Sequence, residues 1–284
     1  MVLTRRISLL SVCIAGAVAA TACSSVVTSP PARPAVPHAL ELPAVQNATA
    51  TIAYYRFETG PAGATATSII DSTLGHHNGA ILTGGPKYSS AVPVTTVPNT
   101  DKVDRFSMSF ATGDSASFAY EFPFQTLTDA TLEFWVEPNL SNHESDIFWT
   151  TTAAGSGDAN RFNIGVSPQG FPFIDYRTAG GTLHQLGVGS IAIPVNKWSF
   201  LAYEKVGTKY LIFVNNSVTG FVTKIASSVT DTSPSLPTST GWTMNGRAVE
   251  QPLGGNQFSG MLDEVRLSSK ALSKSAMLVA PDSL

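Results

Sequence analysis

The sequence predicts an all-β fold, a jelly-roll sandwich of two antiparallel sheets. Short apolar runs of period two recur along the chain, as expected for half-buried strands whose successive side chains point to opposite faces. The 284 residues include 23 glycines and 18 prolines, and only 13% are charged, against roughly 25% in an average soluble domain. This composition favours short strands joined by many turns, and such a fold reaches about 200–250 residues as one domain.

The clearest period-two runs lie in the middle of the chain. Phe106, Met108 and Phe110 alternate with serines, and Phe118 begins a second alternating run that continues to residue 122. Similar runs follow at residues 132–137, 161–166, 171–176, 198–204 and 210–214. Only residues 270–279 have a pattern that suggests one or two helical turns. Many short strands with turn-rich connections are typical of a sandwich.

The N-terminal residues predict export. Arg5 and Arg6 precede an apolar run over residues 7–20, and small residues follow at 20–22, which is the pattern of a signal peptide. We therefore expect residues 1–22 to be removed. Residues 20–22 with Cys23 also resemble a bacterial lipobox, which implies that Cys23 is acylated and anchors the protein to a membrane. The alternative is plain cleavage and secretion.

Closely spaced prolines in residues 23–50 predict an extended tether, because proline disrupts helices and central strands. The sandwich domain then occupies residues 51–280, on a protein of the cell envelope or, in the alternative, a secreted one. A formal net charge of -3 with scattered Lys and Arg gives no basic surface for a phosphate backbone, so we expect no nucleic-acid partner.

Motifs in a fixed order carry a resemblance to a known family. They are an aromatic strand with an Asp-Ser turn, a Trp-Val-x-Pro strand, a strand opening on Lys-Trp with a partner ending in a tight turn, and a closing Asp-Glu-Val-Arg strand. They occupy residues 54–58 with 71–79, 130–138, 197–202 with 210–216, and 258–267. This set resembles the LamG-like domains of the concanavalin A-like lectin/glucanase superfamily. Asn215-Asn216 departs from the Asp-Gly that is usual in the family's turn.

The resemblance implies a concanavalin A-like sandwich and leaves the function open, since this scaffold carries lectins, adhesins and hydrolases. Our leading interpretation is a binding module without catalysis, with a carbohydrate or cell-surface glycan as its partner. The alternatives are a glycoside hydrolase or lyase and a protein-binding adhesion module.

The strand at residues 132–137 carries the main site hypothesis. Alternation places Glu133, Trp135 and Glu137 on one face. Hydrolases of this fold use a Glu-x-Asp-x-Glu strand, and here Trp135 replaces the central acid. The Cα atoms of Glu133 and Glu137 would lie roughly 13 Å apart, whereas retaining hydrolysis needs carboxyl groups about 5–5.5 Å apart. We therefore favour a ligand platform over catalysis.

An exposed indole offers a flat apolar surface to sugar rings, and flanking carboxylates accept hydrogen bonds from hydroxyls. Trp135, with Glu133 and Glu137, is thus the first candidate for ligand binding. Trp149, Asp175 and Tyr176 are further candidates from neighbouring strands. The alternative is that each aromatic side chain belongs to the core.

The closing strand suggests a calcium ion. Alternation places Asp263 on the face of Val265 and Leu267, so the carboxylate enters an apolar setting and needs a partner. A hard cation is one solution, and backbone amides or an arginine are another. The resemblance implies a structural Ca²⁺ between the first strand, a nearby loop and the closing strand, which would be held here by Glu58, Asp71 and Asp263.

Overall fold

The computed structural model describes residues 50–118, 127–139, 145–151, 162–177, 182–187, 189, 191–216, 223–227, 241–245 and 257–279. Within these residues almost all regular structure is β, and the helical element is a single 3-10 turn at Lys274–Ala276. No helix in the described part of the chain is long and apolar enough to cross a membrane. The predicted signal peptide, Cys23 and the tether lie outside the described residues.

The strands, in chain order, are β1 (Thr51–Tyr55), β2 (Ser68–Ile69), β3 (Gly79–Thr83), β4 (Lys87–Ser89), β5 (Thr96–Val97), β6 (Lys102–Val103), β7 (Ser107–Phe110), β8 (Ser115–Phe118), β9 (Asp129–Pro138), β10 (Ser145–Thr151), β11 (Phe162–Val166), β12 (Pro172–Arg177), β13 (Leu183–Leu186), β14 (Ser199–Val206), β15 (Lys209–Asn216), β16 (Thr223–Ser227), β17 (Gly241–Met244) and β18 (Gly260–Ser268). Of the predicted alternating run at residues 118–122, only Phe118 belongs to the described residues, and it ends β8. The other predicted alternating runs each overlap one strand, with bounds that agree within three residues.

Two antiparallel sheets of eight strands each form the sandwich. The first sheet has the order β16-β15-β14-β9-β18-β7-β4, with β1 also paired to β18, and the second has the order β13-β12-β11-β10-β17-β8-β3-β2. A small hairpin joins β5 and β6. The predicted all-β jelly-roll sandwich is confirmed.

The core lies between the two sheets. Leu132, Phe134 and Val136 of β9 are fully buried, and the ring of Phe134 meets that of Phe148 on β10 edge-to-face with centroids 5.0 Å apart. Alternation along β9 therefore turns Glu133 and Trp135 to the opposite face of the first sheet. A second buried cluster, described below, covers that face.

Strand β18 changes partner in its middle. Gly260–Leu262 pairs with β7, while Val265–Ser268 pairs with β1, so β7 and β1 lie end to end along one edge of β18. The register with β9 on the other edge shifts between Asp263 and Arg266. Glu264 adopts a left-handed backbone with φ of 49°. This β-bulge opens a gap in the sheet at Asp263 and Glu264.

Candidate functional site

Four acidic side chains meet in the gap of the first sheet. Glu58 follows β1, Asp104 precedes β7, and Asp263 and Glu264 form the bulge of β18. Carboxylate oxygens of Glu58, Asp104 and Glu264 lie within 4.8 Å of one another. We call these four residues the acidic centre. The end-to-end arrangement of β1 and β7 brings them together, because it places both chain ends beside the bulge.

The partners of these carboxylates are few. Asp104 is 4% exposed and Asp263 is fully buried, yet both oxygens of Asp104 and Oδ2 of Asp263 have no hydrogen-bond partner among the described residues. Glu264 accepts a hydrogen bond from Nε of Arg56 at 3.1 Å. The exposed guanidinium of Arg105 lies 3.5 Å from Glu58. Among the described residues, one half-buried and one exposed guanidinium therefore face the four acids, and the remaining charge needs a cation or protons.

The pKa values of the centre reflect this imbalance. Burial, followed by repulsion from Glu264, raises the pKa of Asp104 to about 8 and raises that of Asp263 well above its usual range. Burial also raises the pKa of Glu264 to about 7, although Arg56 opposes the shift. A hard cation with oxygen ligands would remove this repulsion. The residues present therefore fit a calcium ion.

Two of the three predicted calcium ligands, Glu58 and Asp263, belong to the acidic centre, and Asp71 does not. The carboxylate of Asp71 instead organises a turn. It accepts hydrogen bonds from the backbone amides of Tyr54, Thr73 and His77 at 2.8–2.9 Å and from the Thr73 hydroxyl at 2.7 Å. These four donors satisfy the buried charge, so Asp71 lies apart from the acidic centre and its carboxylate has partners without a cation.

The face that carries Glu133 and Trp135 is covered by the chain itself. Residues 272–279, which we call the strap, lie along it, and Met277, Leu278 and Val279 are buried in one cluster with Trp135. Trp135 is only 9% exposed and donates from Nε1 to the Leu278 carbonyl at 2.9 Å. The prediction of an exposed indole platform is therefore wrong, because apolar strap residues pack against the indole.

Glu133 is fully buried and held on two sides. Arg266 donates from Nε to Oε1 of Glu133 at 2.7 Å, and the backbone amide of Leu278 donates to Oε2 at 2.7 Å. Burial raises the pKa of Glu133 although Arg266 opposes the shift. Glu133 thus anchors the strap through an ion pair, while Glu137, near the end of β9, is half-buried.

A second acid, Glu204 on β14, also holds the strap. Its Oε1 accepts a hydrogen bond from the backbone amide of Leu272 at 2.9 Å, and burial raises its pKa to about 7. An ordinary Glu titrates near 4.3, so the folded protein binds the proton more tightly. The stability that this proton gives is present below about pH 4 and is lost as the pH rises through 7.

We therefore expect Glu204→Gln to weaken the pH dependence of stability. At pH 8 the free energy of unfolding of the variant should exceed that of the wild type by roughly 1 kcal/mol, because Gln carries no charge to bury. At pH 4 the two values should differ little. Urea unfolding at the two pH values measures this, with Asp101→Asn at an exposed position as the control. If the free energy of unfolding changed between pH 4 and pH 8 by the same amount in the variant and the wild type, Glu204 would not be the group responsible.

The outward face of the second sheet brings together two other predicted residues. Phe162, Ile164 and Tyr176 point into the core, so by alternation Asn163 and Asp175 point away from it. Asn163 is the cross-strand partner of Asp175. Asn163 is in turn paired with Trp149 of β10. The predicted candidates Trp149 and Asp175 therefore lie on one surface, with Asn163 between them.

Tyr176 does not belong to that surface. It is buried in the core, where its ring lies 5.0 Å from that of Tyr210. The candidate Tyr176 therefore lies on the opposite face from Asp175, because neighbouring residues of a strand point to opposite faces, and it takes the core alternative.

One residue from each strand of the second sheet completes this surface. Cross-strand pairing joins Ser68 to Ala80, Ser117, Thr243, Trp149, Asn163, Asp175 and Gln185 in turn. We call these eight residues the cross-strand row. Its middle is buried and Trp149 is 7% exposed, while Ser117 is half-buried and Ala80 is exposed. Asn163 also donates from Nδ2 to Asp146. The sequence did not reveal Asn163 or Thr243 as candidates, because neither stands in a recognisable motif.

This fold and these motifs define a concanavalin A-like protein. The family profile described as Laminin_G_3, "Concanavalin A-like lectin/glucanases superfamily", matches residues 110–276, which is more than half of the chain. The chain therefore belongs to this superfamily. Comparison with curated proteins gives no significant match.

Two solved structures share the fold. Domain 4 of AbnA, a GH43 extracellular arabinanase from Geobacillus stearothermophilus, is 15% identical with a TM-score of 0.55, over 80% of this chain and 96% of that chain. The botulinum neurotoxin serotype D binding domain is 12% identical with a TM-score of 0.51, over 80% of this chain. The match spans half of the neurotoxin chain. At these identities the likeness concerns the fold alone.

Proposed function

We propose that the domain is a non-catalytic carbohydrate-binding module and that the cross-strand row is its ligand site. The observation that carries the proposal is the accessible part of this row, where Ser117 and Ser68 are half-buried and Ala80 is exposed on the outward face of the second sheet. Trp149, 7% exposed, presents only an edge of its indole beside them. An indole packs against the C–H faces of sugars, while hydroxyl, amide and carboxylate groups bond their hydroxyls. The arabinanase domain of the same fold was solved with arabinotriose, which supports this ligand class.

Small side chains extend the site on one side of Trp149. Thr243, Ser117, Ala80 and Ser68 follow one another on adjacent strands. With strands about 4.8 Å apart, the row from Trp149 to Ser68 spans about 19 Å, the length of several sugar rings. We therefore expect an extended oligosaccharide to lie across the strands over Ser117, Ala80 and Ser68, with its end at the exposed edge of the Trp149 indole.

The test is glycan binding by Trp149→Ala. We expect its affinity for the glycans that the wild-type protein recognises to fall at least tenfold, because truncation removes the indole edge that ends the accessible part of the row. A glycan array followed by titration calorimetry measures the loss, and circular dichroism verifies the fold.

Ser117→Trp provides a second variant that fills the row without changing the core. Ser109→Trp is its matched control, since Ser109 is also half-buried and lies on the outward face of the first sheet. Ser117→Trp should abolish binding, and Ser109→Trp should not change it. Unchanged binding by both Trp149→Ala and Ser117→Trp, or no glycan binding by the wild-type domain, would contradict the proposal.

The place of the module in the cell is also part of the proposal. Residues 1–22 would direct export, and Cys23 would carry a lipid anchor at the cell envelope. Residues 23–50 would then hold the domain at the end of an extended tether. These assignments stay predictions from the sequence.

For the acidic centre we propose a structural Ca²⁺ ion. Glu58, Asp104, Asp263 and Glu264 would hold it, and the ion would supply positive charge beyond that of Arg56 and Arg105. Calcium accepts irregular sets of oxygen ligands, whereas magnesium needs near-octahedral geometry. A melting temperature that rises with calcium and not with magnesium is the measurement that tests it.

A further inference from the structure

The strap and the acidic centre lie on different parts of the first sheet, and three side chains connect them. Tyr54 makes the first connection. Its hydroxyl donates a hydrogen bond to Glu264 of the acidic centre. Its ring is buried in the same cluster as Met277, Leu278 and Val279 of the strap. One rigid side chain therefore contacts both structures.

Arg266 makes the second connection. It lies two residues after Glu264, and the register of β18 with β9 resumes at its pair with Glu133. Besides bonding Glu133, Arg266 donates from Nη2 to the carbonyl of Ala276 in the strap at 2.7 Å. The position of this guanidinium follows directly from the shape of the bulge.

Trp135 makes the third connection. It is the cross-strand partner of Asp263, and its Nε1 donates to the Leu278 carbonyl. Asp263 is thus connected to the strap through Trp135, and Glu264 is connected to it through Tyr54.

We propose that cation binding at the acidic centre seats the strap on the first sheet, so that the two form one coupled unit. The inference rests on the proposed calcium site. Without a cation, the buried oxygens of Asp104 and Asp263 have no partner among the described residues. Burial of unpaired polar atoms is costly, which favours a rearranged bulge that displaces Tyr54 and Arg266 from their strap contacts. A short segment held by few hydrogen bonds then opens locally while the sandwich stays folded. Opening exposes the face that carries Glu133 and Trp135.

The coupling is reciprocal: if the cation favours the docked strap, the docked strap must favour cation binding by the same factor. Strap docking therefore raises the affinity of the acidic centre for calcium. The strap is thus a cover whose closure depends on a charge site in the sheet beneath it.

Hydrogen exchange of the strap amides, measured with calcium and with a chelator, tests the coupling. The amides of Leu272 and Leu278 bond Glu204 and Glu133, so their exchange reports docking. We expect calcium to slow it at least tenfold, while amides of β3 in the second sheet change less than twofold. Calorimetry in the same buffers measures calcium binding independently.

Tyr54→Phe is the decisive variant, because it keeps the ring against the strap and removes only the hydroxyl that bonds Glu264. Tyr55→Phe is its matched control, since that hydroxyl bonds the His77 carbonyl at 2.7 Å. Tyr54→Phe should still bind calcium, but calcium should slow the exchange of its strap amides less than threefold. In Tyr55→Phe, calcium should slow this exchange at least tenfold, as in the wild-type protein. Calcium binding to the wild-type protein with unchanged strap exchange would overturn the coupling alone. No binding heat would overturn the calcium site as well.

Discussion

Replacing Arg266 with Met should destabilise the domain by roughly 3–5 kcal/mol near neutral pH, because it leaves a fully buried carboxylate without its cation. Glu133 is 0% exposed, so water cannot replace the guanidinium. The substitution also removes the hydrogen bond to the Ala276 carbonyl. The cost should shrink at pH 5, where Glu133, whose pKa burial already raises, binds a proton in the variant.

Urea unfolding of three proteins separates this ion pair from general packing. The double variant Arg266→Met, Glu133→Gln should recover at least half of the lost free energy, because no buried charge remains. Arg105→Met is the control: Arg105 is 63% exposed at 3.5 Å from Glu58, and we expect a change below about 0.5 kcal/mol. A loss in Arg266→Met no larger than that of the control would contradict the prediction.

Saturating calcium should produce the second large effect, a rise in melting temperature. A ligand at 100 times its Kd stabilises the folded state by about 2.7 kcal/mol, which corresponds to a rise of about 5–10 °C for a domain of this size. Magnesium should give a much smaller rise. Differential scanning calorimetry in calcium and in chelator measures both.

Asp104→Asn tests whether the acidic centre is the site through which calcium raises the melting temperature. Both oxygens of Asp104 have no partner among the described residues, so the amide breaks no hydrogen bond within that part of the chain. The variant should lose most of the calcium-dependent rise. In chelator it should melt above the wild-type protein, since a neutral amide replaces an acid whose charged form burial disfavours. Asp101→Asn should behave as wild type, and equal melting temperatures of the wild-type protein in calcium and in chelator would contradict the site.

The period-two pattern of the sequence was sufficient to predict the strands, but it did not predict which residues cover the sheets. The alternation along β9 correctly placed Phe134 in the core and Glu133 with Trp135 on the other face. It could not show that the strap covers that face, since Leu278 lies 143 residues from Trp135 in the sequence. Period two describes which side chains share a face and carries no information on what packs there.

The sequence also predicted only part of the acidic centre, for a different reason. Asp263 and Glu58 lie in strands or directly beside them, so motif and alternation could identify them. Asp104 precedes β7 in a loop without periodicity, and its role depends on β7 and β1 meeting along one edge of β18. In the second sheet, Trp149 and Asp175 share a face because two register pairs align them, a property of pairing that no single strand reveals.

The central position of β18 also bears on how the protein reaches its folded state. The last strand of the first sheet in sequence lies in the middle of that sheet, between β9 on one side and β7 and β1 on the other. The first sheet therefore cannot close until the chain is available up to residue 268. Contacts of such large sequence separation slow folding to milliseconds or seconds. The edges of β9, β7 and β1 that face β18 therefore stay unpaired until this strand arrives and completes the sheet.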